Sequence, residues 1–189
     1  MKSGTRALGV ACSDGEATST LAGAVVRADR VVDGLVFDTC TVGGLDATAT
    51  LLDCFHRLDR PDVRYLLLSG VAPAWFNLFD LGRIHEATDR PVVSVSFEAS
   101  EGLEPALRRE FTGEALADRL SIYESLPDRS EVVVGTSETD GESVFVRSVG
   151  LPAEECRAVV RAFTPEGGRP EPIRVARLAA RAGRSWHES

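Results

Sequence analysis

Asp14 and Asp46 are the acids whose placement invites a chemical reading. Asp14 closes a run of small and apolar residues, RALGVACS, at an Asp-Gly turn. Asp46 enters a helical stretch just after Gly43-Gly44. Two carboxylates brought together suit Mg²⁺ or Mn²⁺, hard cations that take oxygen ligands and keep waters for a substrate phosphate. An ion so held can activate water and stabilise the charge of a leaving oxygen. Taken singly, the two acids read as a turn residue and as a helix-start residue that the helix dipole favours. Further on, Ser69-Gly70 ends an apolar run, and Trp75, Phe76 and Asn77 follow. Aromatics at such an edge stack on or wedge a nucleobase, or simply cap a core. Asp80, three residues past Asn77, is an acid near the same edge that compensates there, caps or pairs. Arg174, Arg177, Arg181 and Arg184 are spaced i, i+3, i+7, i+10, one face of a helix, and Arg169 precedes them. Such a stripe can follow a phosphate backbone. It equally suits a solvated face in an arginine-rich chain.

Other chemistries fit poorly. No G-x-S-x-G elbow surrounds Ser69, and no G-x-x-x-x-G-K-[ST] phosphate loop is present. His56, His85 and His187 lack metal-ligand spacing. Cys12, Cys40, Cys54 and Cys156 include no C-x-x-C pair, so they read as buried free thiols of a reducing cytoplasm rather than zinc ligands. The net charge is −8, yet Lys2 is the only lysine and the other twenty basic residues are arginine. Two sources give that composition: salt adaptation, in which carboxylates keep a crowded surface hydrated, or an arginine-rich coding bias. The charge is uneven. Arg157 to Ser189 carries +4 and the remainder −12. A basic segment on an acidic body suggests an anionic ligand, or arginines paired with the domain's own carboxylates.

These residues need elements to position them. Residues 6–13, 20–27 and 31–41 read as three strands with short links, an antiparallel meander. A helix from about Asp46 to Leu58 ends at Arg60-Pro61-Asp62. Tyr65 to Leu68 is a short apolar run without alternation, a central strand covered on both faces. Phe76-Asn77 opens a helix, with Asn77 as its N-cap, and residues 91–97 form the next strand. Strand, helix and strand in about 30 residues make a parallel crossover. In open α/β sheets ligands bind at the carboxyl edge of such strands, here Ser69 to Asn77. Residues 102–126 are helical in period. Residues 131–134 and 143–149 are short strands around Glu138-Thr139-Asp140-Gly141, extending the sheet or forming a side hairpin. A helix starts at Pro152, Gly167 to Pro172 is a rigid loop, and a last helix spans about Ile173 to Ala182 before a frayed end. Length and 43% hydrophobic content suit one domain, residues 1–189. No apolar run reaches a membrane span, and residues 1–10 contain no signal core. The expectation is a cytoplasmic protein with no membrane partner.

Three antiparallel strands followed by helix, strand, helix, strand is the order of an α/β, ribonuclease-H-like mixed sheet flanked by helices. In that architecture the first strand, the edge after the third strand and the end of the fourth converge, which brings Asp14, Asp46 and Ser69 together. Four stretches, RALGVACSDG (6–15), VDGLVFDTCTVGGLDAT (32–48), residues 66–85 and GGRPEPIRVARLAA (167–180), together resemble the archaeal endonuclease dU family. That family was formerly a domain of unknown function and is related to endonuclease V. The resemblance implies a divalent-metal-dependent nuclease acting on DNA with deaminated bases, uracil or inosine, in DNA repair. It makes Asp14 the first-strand acid and Asp46 the acid entering the first helix, both catalytic and both metal ligands. It also exposes departures. Ser69 stands where an aspartate is expected, Arg177 where a histidine is expected, and Ala11-Cys12-Ser13 resembles an insertion before Asp14. A serine is a poor Mg²⁺ ligand, so a degenerate, nucleic-acid-binding relative is the alternative.

Overall fold

The computed structural model describes residues 1–100, 102–135, 142–166 and 168–188. The chain runs β1 (Arg6–Asp14), β2 (Thr18–Arg27), β3 (Val32–Thr41), α1 (Ala47–Leu58), β4 (Val63–Ser69), a short turn α2 (Pro73–Phe76), α3 (Leu81–Thr88) and β5 (Val92–Ser96). It continues through α4 (Glu104–Glu110), α5 (Gly113–Glu124), β6 (Ser130–Val134), β7 (Glu142–Val149), α6 (Ala153–Ala162) and α7 (Glu171–His187). The strands form one mixed sheet in the order β3-β2-β1-β4-β5-β7-β6. β1, β2 and β3 are the antiparallel meander, and β1, β4 and β5 run parallel. β7 and β6 close the far side antiparallel, so the second pair of strands extends the sheet rather than standing apart. The turn expected around Glu138 to Gly141 lies outside the described residues, as does Gly167.

Leu66, Leu67 and Leu68 are all fully buried, which is what a central strand covered on both faces requires. Leu66 and Leu68 join Leu8, Val10, Leu51 and Ile84 beneath α1 and α3. Leu67 points the other way, to Val93, Val159, Phe163 and Ile173 beneath α6 and α7. α7 lies across β1 and β2 on a floor of small residues, Ala11 and Ala24 against Ala176. A Cβ at Gly9 would sit 2.1 Å from the carbonyl carbon and oxygen of Pro172, so only glycine lets α7 approach this closely. Among the described residues no helix is long and apolar enough to cross a membrane.

Strand ends shift by one or two residues from the sequence reading, and three larger differences each have a local reason. α3 begins at Leu81, not at Phe76-Asn77, because Ala74, Trp75 and Phe76 all have positive φ (46°, 53° and 63°), a left-handed turn that cannot lead into a right-handed helix. Its N-cap is Asp80, whose carboxylate accepts from the Arg83 amide at 2.9 Å, and not Asn77. α7 extends to His187 instead of ending near Ala182, since its last turns are anchored: Gly183 packs on Thr20 and Phe37, and the Arg184 guanidinium donates to the Asp14 carbonyl. The helical stretch after Gly102 is two helices, α4 and α5, broken at Phe111-Thr112.

Candidate nucleic-acid interface

The carboxyl ends of β1 and β4 meet α2 and α7 at a polar pocket of about 350 Å³. Its walls include Ser13, Asp14, Ser69, Trp75, Arg177 and Arg181. Each side chain arrives for a stated reason. Along β4, Leu67 faces α7, so Ser69 two residues on faces the same side. On α7, Ile173, Ala176 and Ala180 are buried on the sheet, which leaves Arg177 and Arg181 along the flank at the strand ends. Trp75 reaches the rim because the left-handed turn of α2 throws its indole outward, leaving it 49% exposed.

That turn is held from below. The Asn77 amide donates to the Pro73 carbonyl at 3.0 Å. Arg119, buried, donates to the carbonyls of Gly43, Gly44, Phe76 and Ala115, and stacks 3.8 Å from the centroid of Phe111. Trp75, Phe76 and Phe111 form an aromatic cluster with centroids 5.2–5.9 Å apart. Trp75 also leans on Gly43, where a Cβ would meet its ring at 2.8 Å. Sequence reasoning missed Ser13, Phe111 and Arg119. Nothing local marks them: Arg119 sits on α5, remote in sequence, and matters through four backbone carbonyls.

The remaining expected residues separate. Asp46 does not line the pocket. Its Oδ1 accepts from the Thr41 amide and from Asn77 Nδ2 at 3.0 and 2.6 Å, and its Oδ2 accepts from the Thr41 amide and hydroxyl at 3.1 and 2.8 Å. Burial alone would push the Asp46 carboxyl up, but the Asn77 and Thr41 hydrogen bonds outweigh it and hold it below its ordinary value. Asn77 was expected to touch nucleic acid. It is instead fully buried, accepting from the Ala47 amide at the start of α1 and donating to the Thr41 carbonyl and to Asp46. It therefore caps α1, not α3. Gly70 (φ +78°) turns the chain out of β4 and lines a neighbouring cavity with Ser94, Tyr123 and Arg147. Arg174 is taken up by Glu171 at 2.6 Å. Arg169 stacks over Phe97 at 4.3 Å. Arg177 has neither an ion pair nor a hydrogen bond among the described residues, and burial pushes its guanidinium down, as do the charges of Arg169 and Arg181.

The expected Mg²⁺ or Mn²⁺ site can be tested against these donors. Among the described residues no group of three or more His, Cys, Asp or Glu side chains could hold a metal ion. Both oxygens of Asp46 are filled by protein donors, and Asp14 Oδ1 accepts from Ser19 at 2.7 Å. Cys12, also on the pocket wall, is held protonated by its hydrogen bond to Cys40 and by burial. Two guanidiniums share the pocket. This donor set does not fit a divalent ion.

The family described as endonuclease dU matches residues 3–183. A protein of Thermococcus gammatolerans designated UPF0215 is 31% identical over 164 residues, covering 86% of this chain and 80% of that one. A protein of unknown function from Archaeoglobus fulgidus superposes with a TM-score of 0.81 at 26% identity, over 94% of this chain and 96% of that one. Human ENDOV gives a TM-score of 0.66 at 15% identity, over 98% of this chain and 86% of that one. Ciona intestinalis endonuclease V, solved with a 24mer DNA containing an inosine, gives 0.60 at 12% identity, over 96% and 86%. The last two likenesses establish the ribonuclease-H-like fold that endonuclease V shares. The match across residues 3–183 identifies the chain itself: it belongs to the endonuclease dU family.

Proposed function

We propose that this chain binds DNA at the carboxyl edge of β1 and β4, that it meets there strands carrying a deaminated base, uracil or inosine, in a repair role, and that it does not cut them through a divalent ion. Family membership and the fold of endonuclease V support DNA as the partner. The observation that carries the reading is the pocket's composition. Arg177, Arg181, Ser13 and Ser69 surround a single carboxylate, Asp14, at an edge where metal-dependent cleavage needs converging carboxylates. Guanidiniums attract and orient a phosphodiester, and the exposed face of Trp75 offers a stacking platform to an unpaired base.

Metal-dependent cleavage through Asp14 and Asp46 is the competing reading, favoured by the family's name and by an Asp46 held ionised. Labelled oligonucleotides with one uracil or inosine separate the two, incubated with Mg²⁺ or Mn²⁺ from low to molar KCl beside Asp46→Ala. The expected result is retention of the strand without nicking. Nicking by the wild type and not by a folded Asp46→Ala would overturn the proposal and establish the nuclease.

A further inference from the structure

Most arginine side chains of this protein have a hydrogen-bond or ion-pair partner among the described residues; Arg64 and Arg83, both exposed, are exceptions remote from the pocket. Arg6, Arg27, Arg57, Arg60, Arg108 and Arg157 all hold carboxylates. Arg119, Arg129, Arg147 and Arg161 spend their donors on backbone carbonyls. With 29 acids against 21 bases, a carboxylate partner is seldom far away. Yet Arg177 and Arg181, one helical turn apart on α7, have no ion pair or hydrogen bond among the described residues, and Arg169, whose charge Arg177 feels, stacks on the ring of Phe97 and has no ion pair among those residues either. Three like charges left together repel one another unless an anion joins them, and Asp14, the carboxylate on the pocket wall, accepts from Ser19 and forms no ion pair with them among the described residues. Two of them open into the same pocket as the hydroxyls of Ser13 and Ser69, which add neutral hydrogen-bond capacity at its floor.

From this arrangement we infer that the pocket between β1, β4 and α7 is a phosphate site, in which Arg177 and Arg181, reinforced by Arg169, hold one phosphodiester of a nucleic-acid strand without any divalent cation. This deepens the DNA-binding reading and rests on it for the source of the phosphate. A guanidinium fork meets phosphate oxygens in two parallel hydrogen bonds and neutralises the charge. It supplies neither an activated water nor a Lewis acid at the leaving oxygen. The positive charge in the pocket therefore suits it to holding a phosphodiester rather than cutting it. Trp75, on the rim of the pocket, lies where a base next to that phosphate could stack.

The test is fluorescence anisotropy with a labelled single-stranded oligonucleotide carrying one uracil, in EDTA and in Mg²⁺, across a KCl series. The proteins are the wild type, Arg177→Ala/Arg181→Ala, the corresponding double lysine variant, and Arg64→Ala as a control at the opposite edge of the sheet. Circular dichroism confirms folding, and neither arginine holds a partner whose loss would unfold the chain. The wild type should bind equally in EDTA and Mg²⁺. The double alanine variant should bind roughly tenfold or more weakly, with a log–log salt slope shallower by about 1.4 for two charges on a single strand. The lysine variant should keep most of the slope, and Arg64→Ala should match the wild type. Binding lost in EDTA, or unchanged in the double alanine variant, would overturn the inference while leaving DNA binding intact. A second arm follows thermal stability in inorganic phosphate at constant ionic strength. Phosphate should stabilise the wild type and not the double alanine variant. If it does so while no oligonucleotide binds at any salt concentration, the pocket stands as a site for free phosphate and the DNA reading falls.

Discussion

Asp46 reads as catalytic in the sequence, and in the fold its carboxylate makes four acceptor contacts with Thr41 and Asn77. A carboxylate at a sheet edge is free to bind an ion only if its lone pairs are free. Those of Asp46 are consumed by Thr41 and Asn77, which fastens the end of β3 to the start of α1. Because the hydrogen bonds keep the folded-state pKa below the ordinary 3.8, the contribution to stability is complete above that value and is lost as pH falls below it toward the folded one. Asp46→Asn should therefore cost about 2 kcal/mol near neutrality. The gap from wild type, measured by urea denaturation, should hold from about pH 7 to 5 and narrow below about pH 4. A gap that is absent, or that widens in acid, would refute this account. Asn77→Ala removes a fully buried amide and strands the Ala47 amide and the Thr41 carbonyl. It should be at least as damaging, by about 2–3 kcal/mol in the same measurement. The role of Asn77 was not visible in the sequence because its partners lie 30 or more residues away. Spacing alone offered only the nearest helix to cap.

At the scale of elements, the strands were legible and the link between β4 and α3 was not. Short links and apolar runs mark strands directly, and the parallel crossover follows from a helix interposed between two of them. By contrast, nothing in AWFN announces three successive left-handed residues, since glycine, which signals such turns, is absent there. Each such residue costs on the order of 1–2 kcal/mol, offset here by the Arg119 clamp and the aromatic cluster. The seating of α7 is the other contact between elements that the site depends on. Gly9→Ala places a methyl carbon against the backbone of Pro172, which cannot move without shifting the whole helix. The expected loss is about 3 kcal/mol or more, read from the urea midpoint, with oligonucleotide affinity falling as Arg177 and Arg181 leave the strand ends. Near-wild-type stability would mean that α7 sits farther from β1 than described.

For the molecule as a whole, charge matters more than any pair. A basic α7 on a body of opposite sign keeps the pocket attractive to phosphate while most of the surface repels it, which confines binding to one edge. The same surplus of acids destabilises the compact state by self-repulsion. Salt reduces the reach of that repulsion from about 10 Å at 0.1 M to about 3 Å at 1 M. The melting temperature should accordingly rise between 0.1 and 2 M KCl in scanning calorimetry, in a single transition if residues 1–189 fold as one domain. A fall would show that the exposed ion pairs outweigh the repulsion and would argue for coding bias over salt adaptation. The uneven charge was readable from composition, but which arginines are unpaired was not, since Arg174 and Arg177 differ only in whether a glutamate stands three residues before them.

The crossing of α7 over β1 has a consequence in time. Synthesis runs from the first strand onward, so all seven strands are made before the helix that carries the two pocket arginines. Until α7 docks at Gly9, a nascent chain presents the floor of the pocket, with Ser13 and Ser69, but none of the guanidiniums. A protein made in contact with ribosomal RNA thus acquires its grip on phosphate only as its last helix settles.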